Sequence, residues 1–121
     1  MNLLHSGNSA PRPAWLAAAL FALVAGLSWS PAARADVQQL QTLMQRNNCT
    51  ACHLIDKRKY GPNFLEVAAR YVGKPDAVAT LATKIKAGGS GVWGDDVMPP
   101  QPLVTDAHAR AMAELILTLK P

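Results

Sequence analysis

The feature that most constrains this chain is one short stretch, Cys49-Thr50-Ala51-Cys52-His53. Its C-x-x-C-H spacing is the attachment signal of a c-type haem. Two thiols three residues apart on one helical turn reach the two vinyl groups of a haem and form thioethers, and the histidine that follows points its imidazole at the iron. The motif therefore predicts Cys49 and Cys52 as covalent anchors, His53 as an axial ligand, and electron transfer as the reaction class.

The N-terminal segment has the three parts of a secretory signal. Arg12 supplies positive charge, Trp15–Leu27 is a nearly unbroken apolar run, and Ala33-Arg34-Ala35 is an A-x-A cleavage site. We predict cleavage after Ala35, which makes 1–35 a signal peptide and 36–121 the mature domain, located in the periplasm. An uncleaved membrane anchor is the alternative, although the apolar run is shorter than the ~20 residues that a membrane span needs.

The composition narrows the possible functions. The chain has 121 residues and a formal charge of +4, and two of its arginines, Arg12 and Arg34, would leave with the signal. There is no basic stripe interleaved with aromatic residues, so nothing predicts nucleic-acid binding. So short a mature domain buries only a modest hydrophobic core and often needs additional stabilisation beyond it. A haem would provide it, because it brings a large apolar surface to pack against.

Apolar residues recur at helical spacing along the mature chain, and no strand pattern appears, which predicts an all-α fold. We expect four helices: one from a capping box at Asp36 to about Asn47, one over Phe64–Tyr71, one with Pro75 in its first turn that ends at Ala87, and one capped by Thr105. The segment Gly88–Pro102 between the last two helices is rich in glycine and proline and lacks periodicity. A loop of that length in so small a domain is usually functional.

Met98 is the predicted second axial ligand. It lies in the Gly/Pro-rich loop and is followed by Pro99-Pro100, so a rigid backbone can hold its thioether against a metal. Met44 and Met112 lie on apolar helix faces, where methionine ordinarily fills the core. Two alternatives stay open: Met98 is simply a loop residue packed into the core, or His108 in the last helix is the ligand.

Ligation by both His53 and Met98 would fill both axial positions of the iron. This arrangement argues against oxygen chemistry and favours a one-electron carrier, and a thioether ligand also raises the reduction potential. If Met98 does not bind, an open iron site would suit a haem sensor or enzyme instead. A haem subunit of a larger redox enzyme is a third possibility. A thioredoxin-like thiol pair or a zinc site would need a βαβ context or a second ligand pair, which the sequence lacks.

Further motifs accompany Cys49–His53. They are the loop Lys57–Asn63 with Gly61-Pro62, the segment Ile85-Lys86 with Gly88, the segment Gly91-Val92-Trp93-Gly94, and the segment Val97-Met98-Pro99-Pro100. Together they resemble the small bacterial class I cytochromes c of the cytochrome c-551 (c8) type, over nearly all of the mature chain. The resemblance implies four helices around one covalently attached haem. It also implies a periplasmic electron carrier that serves partners such as a bc complex and a nitrite reductase or terminal oxidase.

The resemblance implies roles for residues around the haem as well. The Pro62 carbonyl would accept the Nδ1–H of His53 and orient the ring. Trp93 would donate its indole N–H to a haem propionate, with plain core packing as the alternative. Lys84 stands where such proteins often carry an arginine near that propionate. Gln101 stands where they often carry an asparagine that hydrogen-bonds near the methionine sulfur.

A short basic run, Lys57-Arg58-Lys59, follows the haem motif directly. It is either a solvated face or a docking patch beside the haem edge that steers acidic redox partners, and Lys86 would extend that patch. We expect a monomer that binds other redox proteins, with no stable membrane association once the signal is removed.

Overall fold

The computed structural model describes residues 31–120, so most of the predicted signal peptide lies outside the described residues. The described chain forms four α-helices, α1 (Pro31–Arg46), α2 (Phe64–Tyr71), α3 (Ala77–Ala87) and α4 (Asp106–Thr118), and a 3₁₀ turn at Cys49–Ala51. Within this range the β pairing consists of one isolated bridge, between Gly89 and Met98. The prediction of an all-α fold is confirmed. None of the helices between residues 31 and 120 has the length and apolarity to cross a membrane.

Helix α4 is the centre of the fold, because it packs against each of the other three helices. Its buried residues recur at helical spacing and are Ala109, Met112, Ala113, Leu115 and Ile116. Leu40, Leu43 and Met44 from α1 complete one side of this core, and residues of α2 and α3 complete the other. The core therefore joins four helices that are separated along the sequence by loops, and these loops carry the predicted site.

Leu40→Ala should destabilise the protein by about 2–5 kcal/mol, because Leu40 is fully buried (0 % exposed) and its truncation leaves a cavity. Urea unfolding of the haem-loaded protein measures the loss. The matched control is Leu103→Ala, since Leu103 is 93 % exposed and its truncation should change stability by no more than about 0.5 kcal/mol. Equal losses in the two variants would contradict the assignment of Leu40 to the core.

Two helix starts are set by capping side chains. Asn63 accepts a hydrogen bond from the Glu66 amide at 2.8 Å, and the Glu66 carboxylate accepts one from the Asn63 amide at 3.3 Å, which completes a capping box for α2. Thr105 accepts a bond from the His108 amide at 3.1 Å, as the sequence predicts for the last helix. The bounds predicted for α2, Phe64–Tyr71, are confirmed.

Two other starts differ from the prediction. Asp36 does not begin helix α1, because the helix already includes Pro31, the first described residue. Ala32, Ala33 and Ala35 are strong helix formers, so the helix runs through Asp36 without a break. Helix α3 begins at Ala77, so Pro75 lies before it and not in its first turn. The reason is Asp76, whose left-handed backbone (φ 57°) separates Pro75 from the helix.

The loop between α3 and α4 is closed at its base by backbone contacts. The Gly89 and Met98 amides each donate to the other residue's carbonyl at 2.9 Å, and the Gln101 amide donates to the Lys86 carbonyl at 2.8 Å. Gly88 has a φ of 70°, and a Cβ there would overlap the Met98 carbonyl oxygen. Glycine is therefore required at this position, where the chain leaves α3 and the returning strand of the loop passes close to it.

Candidate functional site

One cavity of ≈ 290 Å³ gathers the predicted site residues. Its predominantly apolar lining comes from the 3₁₀ turn, α2, α3, α4 and the loop before α4. All seven residues predicted from the sequence line this cavity: Cys49, Cys52, His53, Pro62, Lys84, Trp93 and Met98. The fold thus brings together two segments, the C-x-x-C-H turn and the Met98 loop, that are far apart in the sequence.

His53 is held in one orientation by three neighbours. Its Nδ1 lies 2.9 Å from the Pro62 carbonyl oxygen, so Nδ1 carries the proton and Nε2 is the nitrogen available to a metal. Its ring stacks on Phe64 with centroids 5.3 Å apart and planes 25° apart. A Cβ at Gly61 would fall on the ring, 2.7 Å from Nδ1. His53 is 8 % exposed as a whole residue, and these contacts pack its ring tightly enough to fix the direction of Nε2.

Cys49 begins the 3₁₀ turn and Cys52 directly follows it, and both are half-buried. The turn follows Asn48, whose left-handed backbone (φ 58°) changes the direction of the chain after α1. Burial raises the pKa of the Cys49 thiol above its ordinary value, and the neighbouring Cys52 adds to that rise while a backbone hydrogen bond opposes it. The rise reflects the predominantly apolar surroundings of the Cys49 sulfur, which lines the cavity.

Two methionine side chains line the cavity, where the sequence pointed to one. Met98 comes from the loop and is half-buried. Met112 comes from α4, is 1 % exposed, and also lines the cavity. Met44 lies in the core and not in the lining. His108 does not line the cavity either; its Nδ1 lies 3.4 Å from the Asn47 side-chain nitrogen, at the contact of α4 with α1.

These residues fit a covalently attached haem. The cavity offers an apolar lining, two thiols three residues apart, and an imidazole whose Nδ1 is already bonded to a carbonyl. A profile of the cytochrome c family matches residues 37–120.

The chain belongs to the cytochrome c family. It is 47 % identical over 111 residues to cytochrome c-552 of Nitrosomonas europaea, which covers 90 % of this chain and 99 % of that protein. It is 50 % identical over 80 residues to cytochrome c-551 of Azotobacter vinelandii, which covers 66 % of this chain and 96 % of that protein. The crystal structure of wild-type Nitrosomonas europaea cytochrome c552 covers 66 % of this chain and 99 % of its own, with 50 % identity and a TM-score of 0.65.

The predicted family is confirmed: this protein is a small class I cytochrome c of the c-551 type. Its cofactor is a c-type haem with iron, which Cys49 and Cys52 fit as covalent anchors. It is an electron-transfer protein and not an enzyme.

Around the haem cavity of this cytochrome, Trp93 and Gln101 make contacts that the sequence did not predict. Trp93 is half-buried, and the Arg70 guanidinium carbon lies 4.8 Å from its ring centroid. The Gln101 side chain donates to the Pro99 carbonyl at 3.0 Å, so its amide braces the backbone just after Met98. Lys84 lies in the last turn of α3 and lines the cavity, where it can supply positive charge.

The basic run of the cytochrome is not a uniform patch. Arg58 pairs with Glu66, with its Nε 3.0 Å from the nearer carboxylate oxygen, and Lys59 donates to the Thr50 carbonyl at 3.4 Å. Lys86 pairs with Asp106 at the start of α4. Lys57 has no ion pair within residues 31–120, so it is the member of the set with the most freedom to meet a partner.

Sequence reasoning missed three residues that shape this site. Phe64 supports the His53 ring, Glu66 links the α2 cap to Arg58, and Arg70 covers Trp93. The Asn63-x-x-Glu66 spacing before an apolar helix was a visible signal for Glu66, since it is a capping-box pattern. No local signal existed for Arg70, because its partners lie in a different loop.

Proposed function

We propose that this cytochrome is an exported, periplasmic one-electron carrier whose haem iron is bound by His53 and Met98. The observation that supports the proposal most is the shared cavity. His53, with Nδ1 bonded to Pro62, and Met98, on a loop closed at its base, both line it. Imidazole and thioether are the axial ligand pair of cytochromes c that serve electron transfer.

A bound haem supplies an iron that changes its oxidation state by one electron. The residues of the chain limit the structural rearrangement that accompanies this change of oxidation state. The Pro62 carbonyl fixes the tautomer of His53 and raises its basicity as a ligand. The Gly89–Met98 backbone pair and the two prolines after Met98 hold the loop in place. Rigid ligands on both sides suit a carrier, because neither redox state then has to gain or lose a ligand.

The proposal includes export and partners. Of the described residues, cleavage after Ala35 would remove 31–35, which are all exposed, and would leave the buried residues of α1, which begin at Leu40. The mature protein would then shuttle electrons between a donor such as a bc complex and an acceptor such as a nitrite reductase or terminal oxidase. Lys57 and Lys59, both exposed beside the haem motif, are the charges we expect to steer an acidic partner.

An absorption spectrum of the periplasmic, haem-loaded protein tests the ligand set. We expect the oxidised form to show the weak near-infrared sulfur-to-iron band and the reduced form to resist carbon monoxide. Rapid binding of carbon monoxide by the reduced form, with no such band in the oxidised form, would overturn the six-coordinate carrier and favour an open-site sensor. Recovery of the mature chain only in the membrane fraction would instead argue against export as a free carrier.

A further inference from the structure

The tip of the Met98 loop is held by side chains from elsewhere in the fold. The base of this loop, residues 88–102, is closed by its own backbone and by α3. At its tip, the Val92 and Trp93 carbonyls instead accept hydrogen bonds from two arginines, Arg70 of α2 and Arg58 of the segment before α2. These contacts join the α2 side of the cavity to the loop that carries Met98.

Arg70 contacts the tip in two ways at once. Its Nη1 donates to the Val92 carbonyl at 3.3 Å, and its guanidinium carbon lies 4.8 Å from the centroid of the Trp93 ring. A planar guanidinium combines a hydrogen bond in its plane with a cation–π contact through its face. One side chain of α2 therefore restrains both the backbone of the tip and the indole that lines the cavity.

Arg58 contacts the next carbonyl and is itself anchored. Its Nη1 donates to the Trp93 carbonyl at 3.4 Å, while its Nε lies 3.0 Å and 3.2 Å from the two carboxylate oxygens of Glu66. Glu66 is in turn fixed by the capping box with Asn63. Because its acceptor is fixed, the Arg58 guanidinium loses less freedom when it also binds the loop.

The contacts connect the two segments that carry the proposed axial ligands. Asn63 directly follows Pro62, whose carbonyl accepts the Nδ1–H of His53. Thus the segment that orients His53 and the loop that carries Met98 meet through Glu66 and Arg58.

We propose that Arg58 and Arg70 are positioning residues that tie the tip of the Met98 loop to α2 and thereby limit the opening of that loop. The proposal rests on the proposed function in one respect, that Met98 is the ligand the loop presents. It also gives Arg58 a role besides the two that the sequence left open, a solvated face or a docking patch: its guanidinium holds the loop.

Backbone amide exchange of the haem-loaded protein tests the tie directly. Met98 and Gly91 supply the reporting amides, since both are hydrogen-bonded within the loop. We expect Arg58→Gln and Arg70→Gln each to speed their exchange about threefold, and the double variant roughly tenfold, because each arginine makes exposed contacts of modest strength. Arg70→Lys should fall between wild type and Arg70→Gln, since lysine keeps the charge but loses the planar stack.

Two matched controls separate the loop contacts of Arg58 and Arg70 from a general loss of charge or of stability. Lys57→Gln removes the same charge one residue from Arg58, and Arg110→Gln breaks an Arg–Glu pair of 2.9 Å on the outer face of α4. Both should leave exchange in the loop at the wild-type rate. The core amides of α4 serve as an internal reference, because a general loss of stability would speed them too. If Arg58→Gln and Arg70→Gln exchange no faster than these controls, the proposal is wrong.

Cyanide binding to the oxidised protein is the second measurement. If Met98 is the ligand, cyanide enters only when the loop opens, so its rate should rise by the same factors in the arginine variants and stay unchanged in the controls. If the wild-type protein lacks the sulfur-to-iron band, the ligand assignment fails, yet amide exchange still decides whether the two arginines hold the loop. Failure of the proposed function and failure of this inference are therefore distinguishable.

Discussion

Met98→Ala should abolish the near-infrared sulfur-to-iron band and let the reduced protein bind carbon monoxide. Alanine has no ligating atom, and the loop that carries residue 98 is closed at its base by backbone contacts of 2.9 Å that do not depend on the side chain. The reduction potential should fall on the order of 0.1–0.3 V, within the roughly 0.8 V range that axial ligands cover. Spectroscopy of both redox states and a potentiometric titration measure these changes.

The matched control for this variant is Met112→Leu, because Met112 is the other methionine in the cavity lining. Leucine has nearly the volume of methionine, so the substitution should cost less than about 1.5 kcal/mol of stability. The band, the resistance to carbon monoxide and the potential should all persist. If Met112→Leu loses the band and Met98→Ala keeps it, the ligand comes from α4 and the proposed role of the loop is wrong.

Sequence reasoning succeeded where the signal is local. The C-x-x-C-H motif lies within one turn. The apolar periodicity predicts the bounds of α2, and Thr105 marks the start of α4, without any knowledge of the packing. The glycine- and proline-rich segment around Met98 likewise predicts the long loop that separates α3 from α4. For these features, the chemistry of neighbouring residues determines the structure.

Sequence reasoning failed where contacts join distant parts of the chain. Arg58 meets the Trp93 carbonyl across 35 positions, and Arg70 meets the Val92 carbonyl across 22. A run such as Lys57-Arg58-Lys59 looks uniform in the sequence, yet its members have different partners once α2 and the loop are in place. The cavity position of Met112 was missed for the same reason, since a helical stripe does not show which of its members faces the core and which faces a cofactor site.

The predicted starts of α1 and α3 were wrong for a different reason. Helix α1 includes the residues before Asp36, because Ala32, Ala33 and Ala35 favour a helix and Asp36 is therefore not its N-cap. Asp76 adopts a left-handed backbone that its residue type permits but does not require. Such choices depend on how the chain must turn between α2 and α3, which is a property of the packed fold.

Gly61→Ala should disturb His53, the other proposed axial ligand. A Cβ at residue 61 would overlap Cε1 of His53 and lie 2.7 Å from Nδ1 and 3.0 Å from Nε2. The ring has little room to retreat, since it stacks on Phe64 at 5.3 Å and is bonded to the Pro62 carbonyl at 2.9 Å. We therefore expect a stability loss of about 1–3 kcal/mol from overpacking, seen in urea unfolding of the haem-loaded protein.

The specific signature of Gly61→Ala is spectroscopic, because a displaced ring weakens the Nδ1–H···O bond that orients His53. The haem spectrum and the potential should both shift, in addition to the loss of stability. Gly73→Ala is the control: Gly73 has a φ of 75° with no atom within 4 Å of a Cβ, so alanine there adds backbone strain without touching the haem cavity. It should lower stability and leave spectrum and potential unchanged. If Gly61→Ala behaves like Gly73→Ala in all three measurements, Gly61 does not support the His53 ring, and the orientation of Nε2 depends on Pro62 and Phe64 alone.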